Sequence, residues 1–333
     1  MSAAPRTRED RARVWVVEPG ERPRLAELLR RPGDAQDALA EGRVFVEGRR
    51  VLDPGLCLEP GQRVELYPAR RGSAGVVLLE RRDGLLAALK PAELPTEPDH
   101  HGLDSLRTRV AGIVGIDEAR LHAVSRLDVG VSGVVLLACT AAARRQVESA
   151  RRRGALRRRY VGIAEHAPDP PQGSWDEPID SSGRGRMRAV GRGRDGLPAE
   201  TRYAVVGEGG TGLRSVGRHA HPLAPALLAF EPRTGRTHQI RVHAAHAGAA
   251  LLGDRLYGGV QSLALPGGSV VEVGRIALHA AWVELTGPGK RTWRVAAPAP
   301  HELLELWRVL GGRSELWETA GSHQYAALAP RLE

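Results

Sequence analysis

Apolar positions near the beginning of the chain predict a compact unit of two helices followed by short strands. Leu25, Leu28 and Leu29 recur at helical spacing, and a Pro-Gly pair ends the helix that contains them. A second helix is predicted over residues 34–42, where it ends at a glycine. The strands are predicted over residues 43–48 and 61–69, in which apolar and polar residues alternate.

Beyond a Gly- and Arg-rich linker at residues 69–75, strand-like runs alternate with helical runs for most of the remaining chain. Thr140 and Thr237 are suited to cap two of the helices. A stretch rich in Pro, Gly and Arg, residues 166–196, predicts loops with short strands. The other predicted elements are strands over 133–139, 156–165, 225–232 and 275–285 and helices over 140–154, 237–248 and 300–312. This pattern indicates an α+β or mixed α/β architecture with a large sheet.

Composition narrows the class of protein. The chain has 333 residues, enough for two or three domains, and 42% of them are hydrophobic, enough for real cores. A net charge of +9 predicts a polyanionic partner. No apolar run approaches the ~20 residues that span a bilayer, so we expect a cytoplasmic protein. Cys57 and Cys139 are expected to be buried small residues, forming neither a disulfide nor a metal site.

One candidate site is the segment "SRLDVGVSG" (125–133), which places charged residues between apolar ones just before a predicted buried strand. Arg126 and Asp128 point the same way if the segment is extended, so both are candidates to face a cleft. Because buried charges need partners, the alternative is a surface salt bridge on a turn. The segment by itself leaves both interpretations open.

A second candidate site opens the helix predicted at residue 237. Four polar residues, Arg236, Thr237, His238 and Gln239, precede an apolar stretch. The free backbone N–H groups of a helix start, together with an arginine, attract anions such as phosphate. Arg241 lies within the first two turns and is placed to reach back to a carboxylate. We therefore assign these residues to substrate binding and ion pairing.

Histidines on the same helix raise the question of a metal site. His238, His243 and His246 are separated by five and three residues, which does not give a good tetrahedral set on one helix face. No cysteine or carboxylate is well placed beside them. We therefore predict structural histidines and no metal, although a metal-dependent hydrolase stays open as a hypothesis.

Two long segments resemble the signature motifs of the RluA-type pseudouridine synthases. "SRLDVGVSG" followed by "VVLLA" resembles H-R-L-D-x-x-T-S-G-L-L-L-x-A. Residues 233–259 resemble T-G-R-T-H-Q-I-R-V-H-L-x-x-x-G-x-P-I-x-G-D-x-x-Y-G almost residue for residue. Shorter matches fall in the family's order at residues 86–96, 157–165, 198–206 and 275–285. The resemblance covers about residues 76–310 and implies an RNA pseudouridine synthase, which needs no cofactor and no metal.

The resemblance also implies roles for individual residues. Asp128 matches the catalytic aspartate, and Arg241 matches the arginine that pairs with it. Tyr160 matches the catalytic tyrosine, whose ring stacks on the uracil, and Leu278 matches the apolar residue on the other side of the base. Arg126 matches an arginine that occupies the space left by a flipped base.

The N-terminal unit resembles the small RNA-binding domain first known from ribosomal protein S-four, which often precedes this catalytic domain. It departs from that domain at Ala35 and Gln36, where a basic Ser-Arg pair usually opens the second helix. The predicted fold class is α+β, with a pseudouridine synthase fold built on a large mixed, mostly antiparallel central sheet flanked by helices, plus this small α/β domain. The predicted divisions are a polar arm at 1–20, either loose or an added strand, the S-four-like domain at 21–70, the catalytic domain at 76–315 and a C-terminal tail at 316–333.

Structured RNA is the predicted partner, with ribosomal RNA ahead of transfer RNA because the N-terminal unit suits a large folded substrate. We expect no membrane association and no obligatory protein partner. Three positions depart from the family pattern: Ser125 replaces a histidine, Val131 a threonine and Glu93 a glycine. The changes at Ser125 and Val131 motivate an alternative, a non-catalytic RNA-binding or RNA-folding factor on the same scaffold.

Overall fold

Two main sheets organise the part of the chain that the structure describes, a four-stranded sheet near the N-terminus and a ten-stranded sheet beyond it. The computed structural model describes residues 13–29, 39, 44–47, 49–51, 53–66, 75–98, 104–183, 185–191, 196–217, 220–287, 289 and 291–322. Nearly all of the predicted linker and of the predicted second helix lies outside these ranges.

The small sheet packs against the first helix, and the alternating apolar residues of two of its strands form the core between them. Its elements are β1 (Arg13–Val16), α1 (Leu25–Leu29), β2 (Val44–Val46), β3 (Arg49–Arg50) and β4 (Arg63–Leu66), and the strand order is β1-β4-β2-β3. Val64 and Leu66 point inward against Leu25 and Leu29 of the helix. Strand β1 pairs along β4, so residues 13–16 of the N-terminal arm are an added strand of this sheet, one of the two forms expected for the arm.

The remaining strands build the large sheet, a two-stranded sheet and a second four-stranded sheet. They are β5 (Val77–Arg82), β6 (Leu85–Lys90), β7 (His122–Ala123), β8 (Ser132–Ala138), β9 (Leu156–Ala164), β10 (Gln172–Trp175), β11 (Ile179–Gly183), β12 (Arg186–Ala189), β13 (Thr201–Glu208), β14 (Leu213–Ser215), β15 (Pro222–Leu223), β16 (Ala226–Pro232), β17 (Ser262–Ala264), β18 (Val270–Glu272), β19 (Leu278–Thr286) and β20 (Thr292–Ala296). The four strands predicted individually in this region are confirmed as β8, β9, β16 and β19, to within three residues at each end.

The large sheet is mixed and mostly antiparallel, as predicted. Its order is β10-β13-β16-β9-β19-β8-β6-β5, with β20 beside β19 and β7 beside β8. Only the pairing of β19 with β8 is parallel among the described strands. Every residue of β8 is buried, and alternate residues point to opposite faces of the sheet. Val135 and Leu137 pack in the core on one face, and Val134 and Leu136 pack in the core on the other. Burial on both faces explains the continuous apolar run in the sequence.

Helices cover both faces of this sheet. They are α2 (Leu106–Val114), a 3-10 turn (Glu118–Arg120), α3 (Ala141–Arg152), α4 (Gln239–His246), α5 (His301–Val309) and α6 (Glu315–Gly321). The predicted cap of α3 is confirmed, because Thr140 Oγ1 accepts a hydrogen bond from the backbone N–H of Ala143 at 3.1 Å. Among the helices of the described residues, none combines the length and the apolar character needed to cross a membrane.

The C-terminal boundary differs from the prediction. Residues 316–333 were assigned to a tail, yet the first of them belong to α6, which contributes the buried Trp317 and Ala320 to the core. Arg159, itself buried, donates hydrogen bonds to the backbone oxygens of Ala320 at 3.2 Å and Ser322 at 3.1 Å. The packed unit built on the large sheet therefore extends at least to residue 322. This short helix buries only Trp317 and Ala320, and two apolar positions are too few to reveal a helical period in the sequence.

Gly133 allows the two central strands to meet. Its φ is +124°, and a Cβ at this position would lie 2.2 Å from the backbone oxygen of Ala280. Gly133 and Ala280 are partners in the parallel register of β8 and β19. A side chain here would separate the strands, so the glycine fixes the position of the loop that precedes β8.

The cysteine prediction is wrong for one of the two residues. Cys139 is half-buried, but Cys57 is exposed. Cys57 lies in an isolated bridge with Arg24, where its neighbours rather than its own side chain enter the core.

Candidate active site

A cavity of about 1060 Å³ opens where the loop before β8, the start of α4 and the middle of β9 meet. The predicted site residues all line it: Arg126, Asp128, Tyr160, Arg236, Thr237, His238, Gln239, Arg241 and Leu278. These residues come from four separate stretches of the sequence, so it is the tertiary fold that brings them together.

Asp128 lies on the loop between β7 and β8, and the segment after β6 holds this loop in place. The Nζ of the fully buried Lys90 donates a hydrogen bond to the backbone oxygen of Val129 at 3.1 Å. Thr96 Oγ1 donates to the backbone oxygen of Leu127 at 2.9 Å and accepts from its N–H at 3.0 Å. Both neighbours of Asp128 are therefore fixed, while its side chain remains 26% exposed.

The three departures from the family pattern leave the loop supported. Ser125 Oγ accepts a hydrogen bond from the backbone N–H of Leu136 at 3.0 Å. Val131 is 2% exposed and packs in the core beneath the loop. Glu93 has a φ of +66°, a conformation that favours the glycine found in the family, and its N–H donates to the backbone oxygen of Val129 at 2.8 Å. The backbone strain at Glu93 is thus offset by a contact to the loop that carries Asp128.

Arg241 joins two carboxylates from opposite sides. Its Nη1 donates to Asp128 Oδ2 at 2.7 Å. Its Nε and Nη2 donate to Asp254 Oδ2 and Oδ1 at 2.7 and 2.8 Å, a two-pronged pairing. Burial alone lowers the pKa of Arg241, but hydrogen bonds and charges from Asp254 and Asp128 raise it above its ordinary value. The guanidinium is therefore a permanent counter-charge for Asp128.

Asp254 is a functional residue that the sequence reasoning missed. It is 1% exposed, and its Oδ1 also accepts from the backbone N–H groups of Leu256 at 3.2 Å and Tyr257 at 3.3 Å. The ring of Tyr257 lies over the same arginine, with the Cζ of Arg241 5.0 Å from the ring centroid. The Gly-Asp-x-x-Tyr sequence at 253–257 was the available signal, since it belongs to the motif already matched.

His238 lies beside Asp128 and is held by Tyr257. Its Nε2 is 3.8 Å from Asp128 Oδ2, and its Nδ1 is hydrogen-bonded to the hydroxyl of Tyr257 at 2.8 Å. That hydroxyl also accepts from the backbone N–H of Met187 at 3.0 Å. Burial lowers the pKa of His238, the charge of Arg241 lowers it further and Asp128 opposes the shift. A neutral imidazole therefore faces the carboxylate near pH 7.

Tyr160 and Leu278 supply an aromatic and an apolar wall. Tyr160 is 8% exposed and Leu278 is 3% exposed, and both line the cavity from neighbouring strands. Burial raises the pKa of Tyr160, the positive charge of Arg158 lowers it and Asp128 raises it, with a net upward shift. The phenol is therefore neutral near pH 7, and its ring and hydroxyl border the same space as Asp128.

The start of α4 differs from the prediction. The helix begins at Gln239, two residues after the predicted cap Thr237, because His238 takes a left-handed conformation with φ +56°. The side chain of Gln239 fixes the turn: its Oε1 accepts from the N–H of Arg236 at 3.0 Å, and its Nε2 donates to the backbone oxygen of Glu200 at 2.8 Å. Gln239 lines the cavity, but its amide is engaged with protein groups, so it braces the site rather than offering a free ligand.

Arginines surround the mouth of the cavity. Arg126 is exposed on the Asp128 loop, and Arg151 and Arg158 line the same opening. Arg158 Nη2 donates to the backbone oxygen of Thr234 at 2.7 Å, and Arg151 hydrogen-bonds to that of Val124. These contacts orient positive charge toward the entrance, where RNA phosphates would approach.

The histidines of α4 do not form a metal centre. His243 is fully buried, and its two ring nitrogens are engaged by Thr201 Oγ1 at 2.9 Å and by the backbone oxygen of Glu177 at 2.9 Å. Because both ring nitrogens are hydrogen-bonded to protein groups, His243 is a structural histidine. It is therefore not placed to act as a ligand in the metal-dependent hydrolase that the sequence left open.

Comparison with known proteins agrees with this geometry. The family model described as RNA pseudouridylate synthase matches residues 84–246. The dual-specificity RNA pseudouridine synthase RluA of Escherichia coli K12 is 30% identical over 216 residues, which are 64% of this chain and 88% of that protein.

Two solved human structures share the fold. RNA pseudouridylate synthase domain containing 1 aligns with a TM-score of 0.56 and 19% identity, covering 79% of this chain and 97% of that one. RNA pseudouridylate synthase domain containing 4 aligns with a TM-score of 0.52 and 24% identity, covering 70% of this chain and 92% of that one.

The fold and the site thus define an RNA pseudouridine synthase, an isomerase that acts on RNA. Within that class, the chain belongs to the RluA-type pseudouridine synthase family.

Proposed function

We propose that this enzyme converts uridine to pseudouridine in structured RNA with Asp128 as its catalytic carboxylate. The observation that carries the proposal is the Asp128 carboxylate in the cavity, hydrogen-bonded to Arg241 at 2.7 Å. Tyr160 and Leu278 line the same cavity and supply the surfaces on which a flipped uracil would lie. Family membership supports the reaction, and the geometry supports these residues as the site.

The reaction breaks the bond between N1 of uracil and C1′ of the ribose and forms a bond between C5 and C1′. The C5 proton leaves and N1 gains a proton, so the change is an isomerisation without net oxidation or reduction. Asp128 has two possible roles: attack on C1′, or removal of the C2′ proton to give a glycal. Either role uses the ionised carboxylate, for which Arg241 is the adjacent counter-charge.

Base flipping would bring the uridine to the Asp128 carboxylate inside the cavity. A uridine in folded RNA must leave its stack, at a cost of a few kcal/mol. Arg126, exposed on the loop two residues before Asp128, is positioned to occupy the vacated space, since arginine stacks well on bases. His238 and Arg236 line the cavity on the α4 side, where they would contact the nucleotide or its phosphate.

Ribosomal RNA is the substrate we favour, with transfer RNA as the alternative. The S-four-like unit suits a large folded RNA, and the net charge of +9 suits a polyanion. The related Escherichia coli protein is described as having dual specificity, which is compatible with more than one target. The proposal places the enzyme in the cytoplasm and requires no protein partner.

Pseudouridine mapping of total RNA tests the proposal. The gene is deleted and restored as wild type, as Asp128→Asn or as the control Asp180→Asn, whose carboxylate pairs with Arg188 on an exposed hairpin. We expect a defined signal to disappear in the deletion and in Asp128→Asn, and to return with wild type and with Asp180→Asn.

The second candidate function, a non-catalytic RNA-folding factor, is motivated by Ser125 and Val131. It predicts the opposite result: Asp128→Asn would restore growth and ribosome assembly, and no pseudouridine would change in any strain. Activity retained in metal-free buffer with a chelator would separately remove the hydrolase hypothesis.

A further inference from the structure

Three potential metal ligands converge at the end of β9 that is far from the catalytic residues. Glu165 and His166 directly follow this strand, and His221 directly precedes β15. One ligand atom from each lies within 4.8 Å of the other two. Glu165 is five residues beyond Tyr160, which corresponds to about 16 Å along an extended strand. None of the three is among the residues that line the catalytic cavity.

The carboxylate of Glu165 is already oriented by the protein. Its Oε1 accepts a hydrogen bond from the backbone N–H of Val260 at 2.5 Å, and the residue is 8% exposed. Its Oε2 faces His221 Nε2 at 3.7 Å, beyond hydrogen-bond range. Two ligands at about 2.1 Å from a tetrahedral Zn²⁺ lie about 3.4 Å apart. The separation between these two atoms is therefore within a few tenths of an ångström of that distance.

The ring of His221 is oriented by a second contact of the kind found behind zinc ligands. Its Nδ1 is hydrogen-bonded to Ser215 Oγ at 2.9 Å, and the same hydroxyl accepts from the backbone N–H of His221 at 2.9 Å. Ser215 is buried, at 7% exposed. Fixing Nδ1 in this way turns Nε2 toward Glu165, and such partners of metal-bound histidines raise metal affinity.

A simple ion pair between His221 and Glu165 is the competing explanation. It accounts for the carboxylate and one imidazole but gives no role to His166, whose ring centroid is 6.3 Å from that of His221. Two imidazoles and a carboxylate, in contrast, are a common zinc donor set that uses all three side chains.

We propose that Glu165, His166 and His221 bind one Zn²⁺ ion, with water in the fourth position. The ion would tie the end of β9 to the segment before β15, and through Glu165 to the backbone at Val260. This site is structural and takes no part in the isomerisation, so it stands whether or not the catalytic proposal does.

Zinc titration of the full-length, untagged protein tests the site. The protein is stripped with a chelator, and Zn²⁺ is added in competition with a chromophoric chelator at pH 7.5, where imidazoles are neutral. We expect one equivalent to bind with a Kd near or below ~1 μM. Ser215→Ala should weaken it by about 10–100-fold, and His221→Ala should abolish it, while the control His301→Ala, an exposed histidine on α5, should bind normally.

Two further readouts keep the test independent of folding defects in the variants. Co²⁺ in place of Zn²⁺ should give the visible absorption of a tetrahedral ion in the wild type, and the Tm of the wild-type protein should rise with one equivalent of Zn²⁺. The proposal is overturned if the wild type has no site tighter than about 10 μM, or if a folded His166→Ala/His221→Ala variant still binds one equivalent with unchanged affinity.

Discussion

Replacing Asp254 by asparagine removes one negative charge beside Arg241 and keeps nearly the same side-chain volume. Asp254 is 1% exposed and accepts hydrogen bonds from Arg241 Nε at 2.7 Å and Nη2 at 2.8 Å. Hydrogen bonds to charged groups contribute about 1.5–3 kcal/mol each, and asparagine turns one of these acceptors into a donor facing the guanidinium. We therefore expect the free energy of unfolding to fall by about 3–5 kcal/mol, the range for breaking one side of a buried ion pair.

The same substitution should also reduce the catalytic rate. With Asp254 neutral, the remaining carboxylate partner of Arg241 is Asp128, and the arginine is no longer held from behind. A shift of about 1 Å in a catalytic group costs about 100-fold in rate. Because Asp254 is not among the residues that line the cavity, we expect kcat to fall about 100-fold while KM for RNA changes little.

Urea unfolding and tritium release from RNA that carries 5-tritiated uridine measure the two effects. The matched control is Glu148→Gln, which breaks the exposed pair between Arg144 and Glu148 on α3 and should cost less than about 1 kcal/mol. If Asp254→Asn stays within 1 kcal/mol of the wild type and within threefold in kcat, Arg241 is not held by Asp254 and the reasoning is refuted.

Three further predictions follow from single contacts. Burial lowers the pKa of His279 to about 3, below the ~6.5 of the same residue in the unfolded chain. As the pH falls, the unfolded state therefore binds the proton first, and the free energy of unfolding should decrease by about 1.4 kcal/mol per pH unit below ~6.5. Urea unfolding of His279→Asn should show a shallower pH slope by that amount, and an unchanged slope would contradict a buried neutral imidazole. Gly133→Ala forces a Cβ to within 2.2 Å of the backbone oxygen of Ala280, so expression of folded protein should be largely lost; a stable variant with the wild-type Tm would contradict this register. Arg126→Ala should lower single-turnover rates on folded RNA about tenfold but leave an unpaired oligonucleotide nearly unaffected, since only the former needs flipping; equal losses on both would assign Arg126 to general phosphate binding.

The central part of the site was predictable because its residues lie in long, contiguous motifs. Asp128 and Arg241 were paired through the family resemblance, and the fold then brought them within hydrogen-bond range. Asp254 was not predicted, although it lies in a matched motif, because nothing local shows that it faces the helix. Its partner is 13 residues earlier in the chain, and such a contact is a property of the tertiary fold.

The error at α4 has a local physical reason. Threonine is a good cap in general, so Thr237 was a reasonable start, but the side chain of Gln239 turns back to accept from the N–H of Arg236, and no side chain caps the helix start. This arrangement puts His238 at φ +56°, with its ring against Tyr257 and 3.8 Å from Asp128. Cap preferences consider one side chain at a time, whereas here the helix start depends on a tertiary contact, the hydrogen bond from Gln239 to the backbone oxygen of Glu200.

Negative, positive and negative side chains follow one another through the site as Asp254, Arg241 and Asp128. The ion pair between Asp254 and Arg241 therefore affects the position of the group that contacts Asp128. Buried Asp254 holds Arg241, and Arg241 in turn holds the partly exposed Asp128. A buried ion pair adds little net stability, because desolvation cancels most of the attraction. Its value here is orientation: the two-pronged contact with Asp254 leaves Nη1 of the arginine directed at the Asp128 carboxylate. Arg241→Lys would keep the charge but could not serve both carboxylates in this geometry, so it should fold poorly and lose kcat although the positive charge is retained.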